Sequence, residues 1–74
     1  MRPGDIVRVI KIPTGLPVES QSVFELCVGR CFAVERIEGD GRIELLVGHV
    51  LGAKDFEHSL YLWPDEVEPA NNPS

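Results

Sequence analysis

The stretch His58-Ser59-Leu60-Tyr61-Leu62-Trp63-Pro64-Asp65-Glu66-Val67-Glu68-Pro69 decides how this chain is read. Leu60 and Leu62 alternate with Ser59, Tyr61 and Trp63, the period of a strand with one apolar face. Trp63-Pro64 stops that strand, because proline cannot donate to a ladder. Asp65-Glu66 then starts a single 3₁₀ turn before Val67 re-enters a sheet. A unit of strand, tight turn and strand needs other strands to pair with, and these are found upstream.

Residues 31 to 38 and 42 to 47 make the strongest hairpin signal, joined by Gly39-Asp40-Gly41, where Asp-Gly suits a tight turn with positive φ. Ile43, Leu45 and Val47 alternate with Arg42, Glu44 and Leu46, so one face is core and the other largely polar. Phe32 and Val34 meet the core face from the partner strand. Residues 5 to 12 (DIVRVIKI) are rich in β-branched residues and follow the turn signal Pro3-Gly4. Val7 and Val9 mark one face of this strand, and Ile6, Ile10 and Ile12 with Arg8 the other.

Pro13-Thr14-Gly15-Leu16-Pro17 breaks the first strand and opens a long connection. Within it Ser22-Val23-Phe24-Glu25 fits a capping box, and Gly29 supplies a left-handed terminus. A short helix over residues 22 to 28 is therefore predicted, with Val23/Cys27 and Phe24/Val28 stacked at i, i+4. So short a helix must dock on the sheet to persist. Residues 48 to 57 read as a loop anchored by Phe56.

With 74 residues there is room for one domain, assigned to residues 1–70, followed by a disordered tail over residues 71–74 (Asn71-Asn72-Pro73-Ser74). Apolar residues make up 43% and charged residues 26%, proportions that place the chain among globular domains. No apolar run approaches the ~18 residues of a membrane span, and Met1-Arg2-Pro3-Gly4 leads directly into a strand rather than a signal peptide. The expected setting is cytoplasmic, with no membrane partner.

The formal net charge is −5, which repels phosphate backbones at long range and weighs against nucleic acid as a partner. Its distribution is uneven. Arg2, Arg8 and Lys11 face only Asp5 near the start, whereas Asp55, Glu57, Asp65, Glu66 and Glu68 follow Lys54 with no base among them. Pairing of the first and last strands would neutralise part of this asymmetry across the ladder.

Five short strands, a helical turn in the first long loop and the closing tail make the chain all-β, a partly open five-stranded barrel with one short helix and a 3₁₀ turn before the last strand. Gly4-Asp5-Ile6-Val7-Arg8-Val9-Ile10 resembles the opening strand of SH3-like domains such as those with the KOW motif, and Trp63-Pro64-Asp65-Glu66-Val67-Glu68-Pro69 resembles their ending. The chain is more loosely similar to the small SH3-like accessory subunits of photosystem I and of ferredoxin-thioredoxin reductase. Phe24-Glu25-Leu26-Cys27-Val28-Gly29-Arg30-Cys31-Phe32 departs from those patterns and resembles a separate bacterial group of SH3-like proteins. The resemblance implies an SH3-like barrel; fold analogy does not transfer function.

Cys27 and Cys31, with His49 and His58, are the candidate metal ligands. Their number suffices for a zinc site, but Cys-x3-Cys lacks the usual two-residue gap and the histidines stand nine apart. Cys27 on the apolar helix face and Cys31 at the start of a core strand read instead as buried free thiols. No metal or cofactor is therefore expected. His49 and His58 flank one loop, yet neither has a nucleophile placed to make a catalytic pair, because Ser59 points to the opposite face from His58. Glu35, Glu38, Asp40 and Glu44 read as solvated hairpin acids. Gly39-Asp40-Gly41 is too short, and too acidic, to cradle a phosphate. Nothing marks an enzyme.

Tyr61 and Trp63 are the remaining candidates. If Leu60 and Leu62 point inward, both aromatics point outward beside Pro64. That face can receive the short helix or a second copy of the chain, the reading ranked first, or it can grip an extended ligand of the proline-rich kind. The leading expectation is a non-enzymatic interaction or accessory domain with a protein partner, or a homodimer, and with Tyr61, Trp63, Leu46 and Phe56 as the contact residues. The rivals are a KOW-like nucleic-acid or ribosome-associated module and a small metal- or thiol-binding protein using Cys27 and Cys31.

Overall fold

The computed structural model describes residues 1–70; the tail assigned to residues 71–74 lies outside the described residues. The strands are β1 (Ile6–Val9), β2 (Cys31–Ile37), β3 (Ile43–Leu46), β4 (Ser59–Leu62) and β5 (Val67–Pro69), with one helix, α1 (Val18–Cys27), between β1 and β2. They form one sheet in the order β4-β3-β2-β1-β5, antiparallel at every step. The sheet is open: β4 and β5 are its two edges. The described residues thus make a small, mainly antiparallel β domain with a single helix and short 3₁₀ turns. Among the described residues no helix is long and apolar enough to cross a membrane.

The seven residues of β2 serve both halves of the sheet: Cys31 to Ala33 pair with β1, and Val34 to Ile37 pair with β3. The register shifts between Val34 and Arg36, and a bulge of this kind bends a strand and increases its twist. The core lies on the inner face of the bent sheet. Val7, Val9, Phe32, Val34, Ile43, Leu45, Val47, Leu60, Leu62 and Val67 are buried together there, as their period-two alternation predicts. The first and last strands do pair, and Arg8 Nη1 lies 2.9 Å from Glu68 Oε2 across them. Both side chains are nearly half exposed, so this pair contributes at most ~1 kcal/mol.

Three expectations about the elements are corrected. The helix begins four residues before Ser22, directly after Pro17, whose fixed φ of −58° precedes the first turn. Ser22 is consequently inside the helix, its hydroxyl donating back to the Val18 carbonyl at 3.3 Å instead of capping. Gly29 does take positive φ, at 85°. The first strand stops at Val9 rather than running to residue 12, because the Ile10 and Lys11 amides both turn to the single Glu66 carbonyl, at 2.9 and 3.3 Å. Residues 48 to 57 are not a plain loop but two 3₁₀ turns, Gly48–Leu51 and Asp55–Glu57. They are held so close that a Cβ on Gly48 would meet the Lys54 carbonyl oxygen at 1.8 Å. Phe56 does not anchor them; it is 71% exposed, and Val50 packs against the core instead.

The helix docks on the inner face. Phe24 and Cys27 enter the core, and the Gly29 amide donates to the Val9 carbonyl at 2.8 Å, while the Val9 amide donates to Arg30 at 3.1 Å. The short helix therefore does not cover Tyr61 and Trp63, which lie on the other side of the sheet.

Candidate functional site

The outer face of β3 and β4 is built by parity. Since Leu45, Leu60 and Leu62 point inward, Glu44, Leu46, Tyr61 and Trp63 point outward, and the register places Glu44 opposite Tyr61 and Leu46 opposite Ser59. Leu46 and Tyr61 are therefore diagonal neighbours on that face. Trp63 continues the row beyond the end of β4, and Phe56 lies in the 3₁₀ turn that precedes it. Phe56 stands seven positions before Trp63 and outside the strand row, so Leu46, Tyr61 and Trp63 form the outer strip, and strand parity does not fix the side on which Phe56 lies.

The members of this strip differ in how free they are. The Tyr61 hydroxyl donates to Glu44 Oε2 at 3.2 Å, and the Arg42 guanidinium lies 5.3 Å from the Tyr61 ring centroid. Glu44 is in turn approached by Arg36 at 3.4 Å and is buried beneath these neighbours. Arg36 also bonds Glu38 at 2.8 Å; that carboxylate first, then the Tyr61 hydroxyl and Glu44, raises the guanidinium above its ordinary range. Tyr61 thus belongs to a satisfied polar network. Among the described residues the Trp63 ring has no such engagement, and Trp63 is 46% exposed. Its backbone is fixed instead: the Trp63 amide donates to Glu66 Oε1 at 2.8 Å and the Glu66 amide to the Trp63 carbonyl at 2.9 Å. This is the closing turn expected from Pro64-Asp65-Glu66.

The hairpin turn behaves as an Asx turn. Asp40 accepts the Arg42 amide at 3.0 Å and its guanidinium at 2.8 Å, and the amide bond above all holds the Asp40 carboxyl below its usual range. Only Gly41 takes positive φ there, at 97°.

The cysteines separate. Cys27 is buried, as expected, and burial pushes its thiol up against the opposing effect of Arg30. Cys31 is exposed, which corrects its reading as a core residue: it pairs with Arg8, and strand parity puts both on the outer face while Phe32 takes the inner one. His49 meets Asp55, with Nδ1 2.6 Å from Oδ1 and its backbone amide 3.1 Å from the same oxygen, and its ring lies 5.4 Å from that of Phe32. The His49–Asp55 contact ties the two 3₁₀ turns together, a link that no sequence pattern announces. His58 is exposed at the entrance to β4. Among the described residues no three His, Cys, Asp or Glu side chains are grouped to hold a metal ion. A cleft of ≈ 520 Å³ opens at the opposite end of the sheet order, between Met1, residues 4 to 7 and Pro69-Ala70. It brings no two of the candidate residues together. Compared with known proteins, the chain matches no family model, and no curated protein and no solved structure is significantly similar to it.

Proposed function

We propose that this chain is a non-enzymatic protein-interaction domain of SH3-like architecture whose contact surface is the outer strip of Tyr61, Trp63 and Leu46, together with Phe56. The observation that carries this reading is the half-exposed indole of Trp63, held by a rigid backbone turn on the side of the sheet away from α1. A large aromatic ring in a fixed position loses little conformational entropy on contact, which is why such residues dominate binding energies. The sheet order β4-β3-β2-β1-β5 supports the architecture, since it pairs the two end strands that resemble SH3-like domains, β1 and β5, with each other beside one bent β2. Within the strip, Trp63 is the anchor, and Tyr61, braced by Glu44 and Arg42, supplies a fixed flank.

The test is a comparison of wild type with Trp63→Ala. Partner affinity, or self-association if the partner is a second copy, falls by ~2 kcal/mol or more. Folding stability falls by only about half the ~3 to 5 kcal/mol of a fully buried indole. Trp63 fluorescence is red-shifted and quenched by iodide in the free protein, and shielded on binding. A blue-shifted, iodide-protected spectrum at concentrations where sedimentation shows only monomer would overturn the assignment.

A further inference from the structure

The backbone of β4 offers hydrogen bonds that nothing among the described residues takes up. The Val47 amide donates to the His58 carbonyl at 2.9 Å, so His58 and Val47 form a hydrogen-bonded pair. Antiparallel ladders alternate such pairs with unbonded ones, and the register therefore directs Leu60 and Leu62 toward Leu45 and Ile43. Ser59, Tyr61 and Trp63 then aim their N–H and C=O groups away from β3. Trp63 is satisfied by Glu66, as described above. Ser59 and Tyr61 are left with two donors and two acceptors on a free edge, since among the described residues β3 is the sole strand paired with β4.

The other edge differs. Glu68 faces β1, flanked by the bonds of the Ala70 amide to Ile6 and of the Ile10 amide to Glu66, which directs Val67 and Pro69 outward. Proline has no donor, so β5 presents only the Val67 amide to solvent, a common way of blunting an edge. β4 carries no proline within its span and no lysine or arginine.

Charge selects what can add to this edge. Residues 54 to 66 contain Lys54 as their one base against Asp55, Glu57, Asp65 and Glu66. Asp55 is engaged by His49 and Glu66 by the Trp63 amide, but Glu57 and Asp65 are exposed, form no ion pair among the described residues, and bracket β4 at its two ends. A second copy adding antiparallel would set each Glu57 end against the other Asp65 end; adding parallel, it would set like ends together. Both arrangements oppose acid to acid. We propose that β4 is completed by an extended basic segment of a protein partner, which pairs with the Ser59 and Tyr61 backbones and lays alternate side chains along Tyr61 and Trp63. This rests on the interaction-domain reading and specifies its ligand chemistry.

The experiment uses the full chain, isotopically labelled, and an end-blocked octapeptide alternating arginine with valine, with a glutamate-valine peptide as its counterpart. At saturating arginine peptide, amide exchange at Ser59 and Tyr61 slows at least tenfold, while Leu60 and Leu62, already in the ladder, are unchanged. Ser59→Pro removes one outward donor without touching the β3 ladder and weakens peptide binding at least tenfold. Should that variant fail to fold, the double variant Glu57→Gln/Asp65→Asn, which changes only exposed charges, weakens binding about fivefold and lowers its salt dependence. Equal binding of the glutamate peptide, binding without protection of Ser59 and Tyr61, or a dimer that protects both amides without peptide would each overturn the proposal. Peptide that shifts Trp63 but leaves Ser59 and Tyr61 unprotected sinks the edge pairing alone. Protection that is unaffected by Trp63→Ala sinks the aromatic-anchor reading and leaves the edge.

Discussion

Leu60 and Tyr61 are adjacent in the chain, yet Leu60 is 7% and Tyr61 37% exposed, and the two faces of β4 are held by different physics. On the inner face Leu60 and Leu62 join Ile43, Leu45 and Val47 in a dry cluster, stabilised by removal of apolar area from water. On the outer face Tyr61 is positioned by a hydroxyl bond to Glu44 and by Arg42, directional contacts in a solvated setting where each contributes little. The inner face therefore carries the stability and the outer face is free to carry function. Trp63, half exposed and held through its backbone rather than its ring, is the least engaged side chain of the outer β4 row.

The most direct way to break the contrast is Leu45→Ala. Leu45 is fully buried, and its truncation costs ~2 to 5 kcal/mol, comparable to the whole stability of so small a domain. An unchanged melting midpoint by circular dichroism would mean that the hairpin register is wrong. Next in size is Gly48→Ala, which drives a methyl into the Lys54 carbonyl and forces the two 3₁₀ turns apart at a cost of ~1 to 3 kcal/mol, read from the urea midpoint. This variant sharpens the comparison, since it loosens the turn that leads into β4 without altering either face.

The cysteines repeat the contrast on β2 and α1. Cys27→Ala loses ~1 to 2 kcal/mol of packing, whereas Cys31→Ser stays within about 0.5 kcal/mol. A thiol reagent titrates one cysteine rapidly in the native protein and both in denaturant; two fast thiols would contradict the burial of Cys27. The same residue sets an alkaline limit. Because burial raises its folded pKa, the neutral thiol favours the fold, and this contribution is intact below the unfolded thiol range of ~8.5. It is lost as pH rises from there toward the folded value, and Cys27→Ala removes that part of the pH dependence. A small effect also belongs to Tyr61→Phe, which deletes the bond to Glu44 but leaves Arg36 beside it. About 0.5 to 1.5 kcal/mol is expected in thermal unfolding, with a larger loss implying that the outer network is a second structural element.

The inner residues of β2, β3 and β4 and the closing turn at Pro64–Glu66 were legible because each follows from a local rule, period-two alternation or the missing donor of proline, whereas the pairing of the end strands was expected only from the resemblance to SH3-like domains. The helix start was misread because Ser22 and Glu25 satisfy a capping pattern that Pro17, five residues before Ser22, pre-empts. Cys31 was misplaced because its small apolar character was set above strand parity, which sends the neighbour of inward Phe32 outward, where it stands opposite Arg8. The exposure of Phe56 and the His49–Asp55 link depend on how two turns fold against each other, which no periodicity encodes.

By itself, then, the amino-acid pattern determined which side chains share a face, because the backbone period of two is intrinsic to any strand. Only the tertiary structure decided which face the helix covers, which edge strand keeps unpaired backbone groups and which aromatic stays open. Those outcomes depend on contacts between residues far apart in the chain: Gly29 bonded to Val9 seats the helix inward, Tyr61 is bound to Glu44, and Trp63 is left at the free edge.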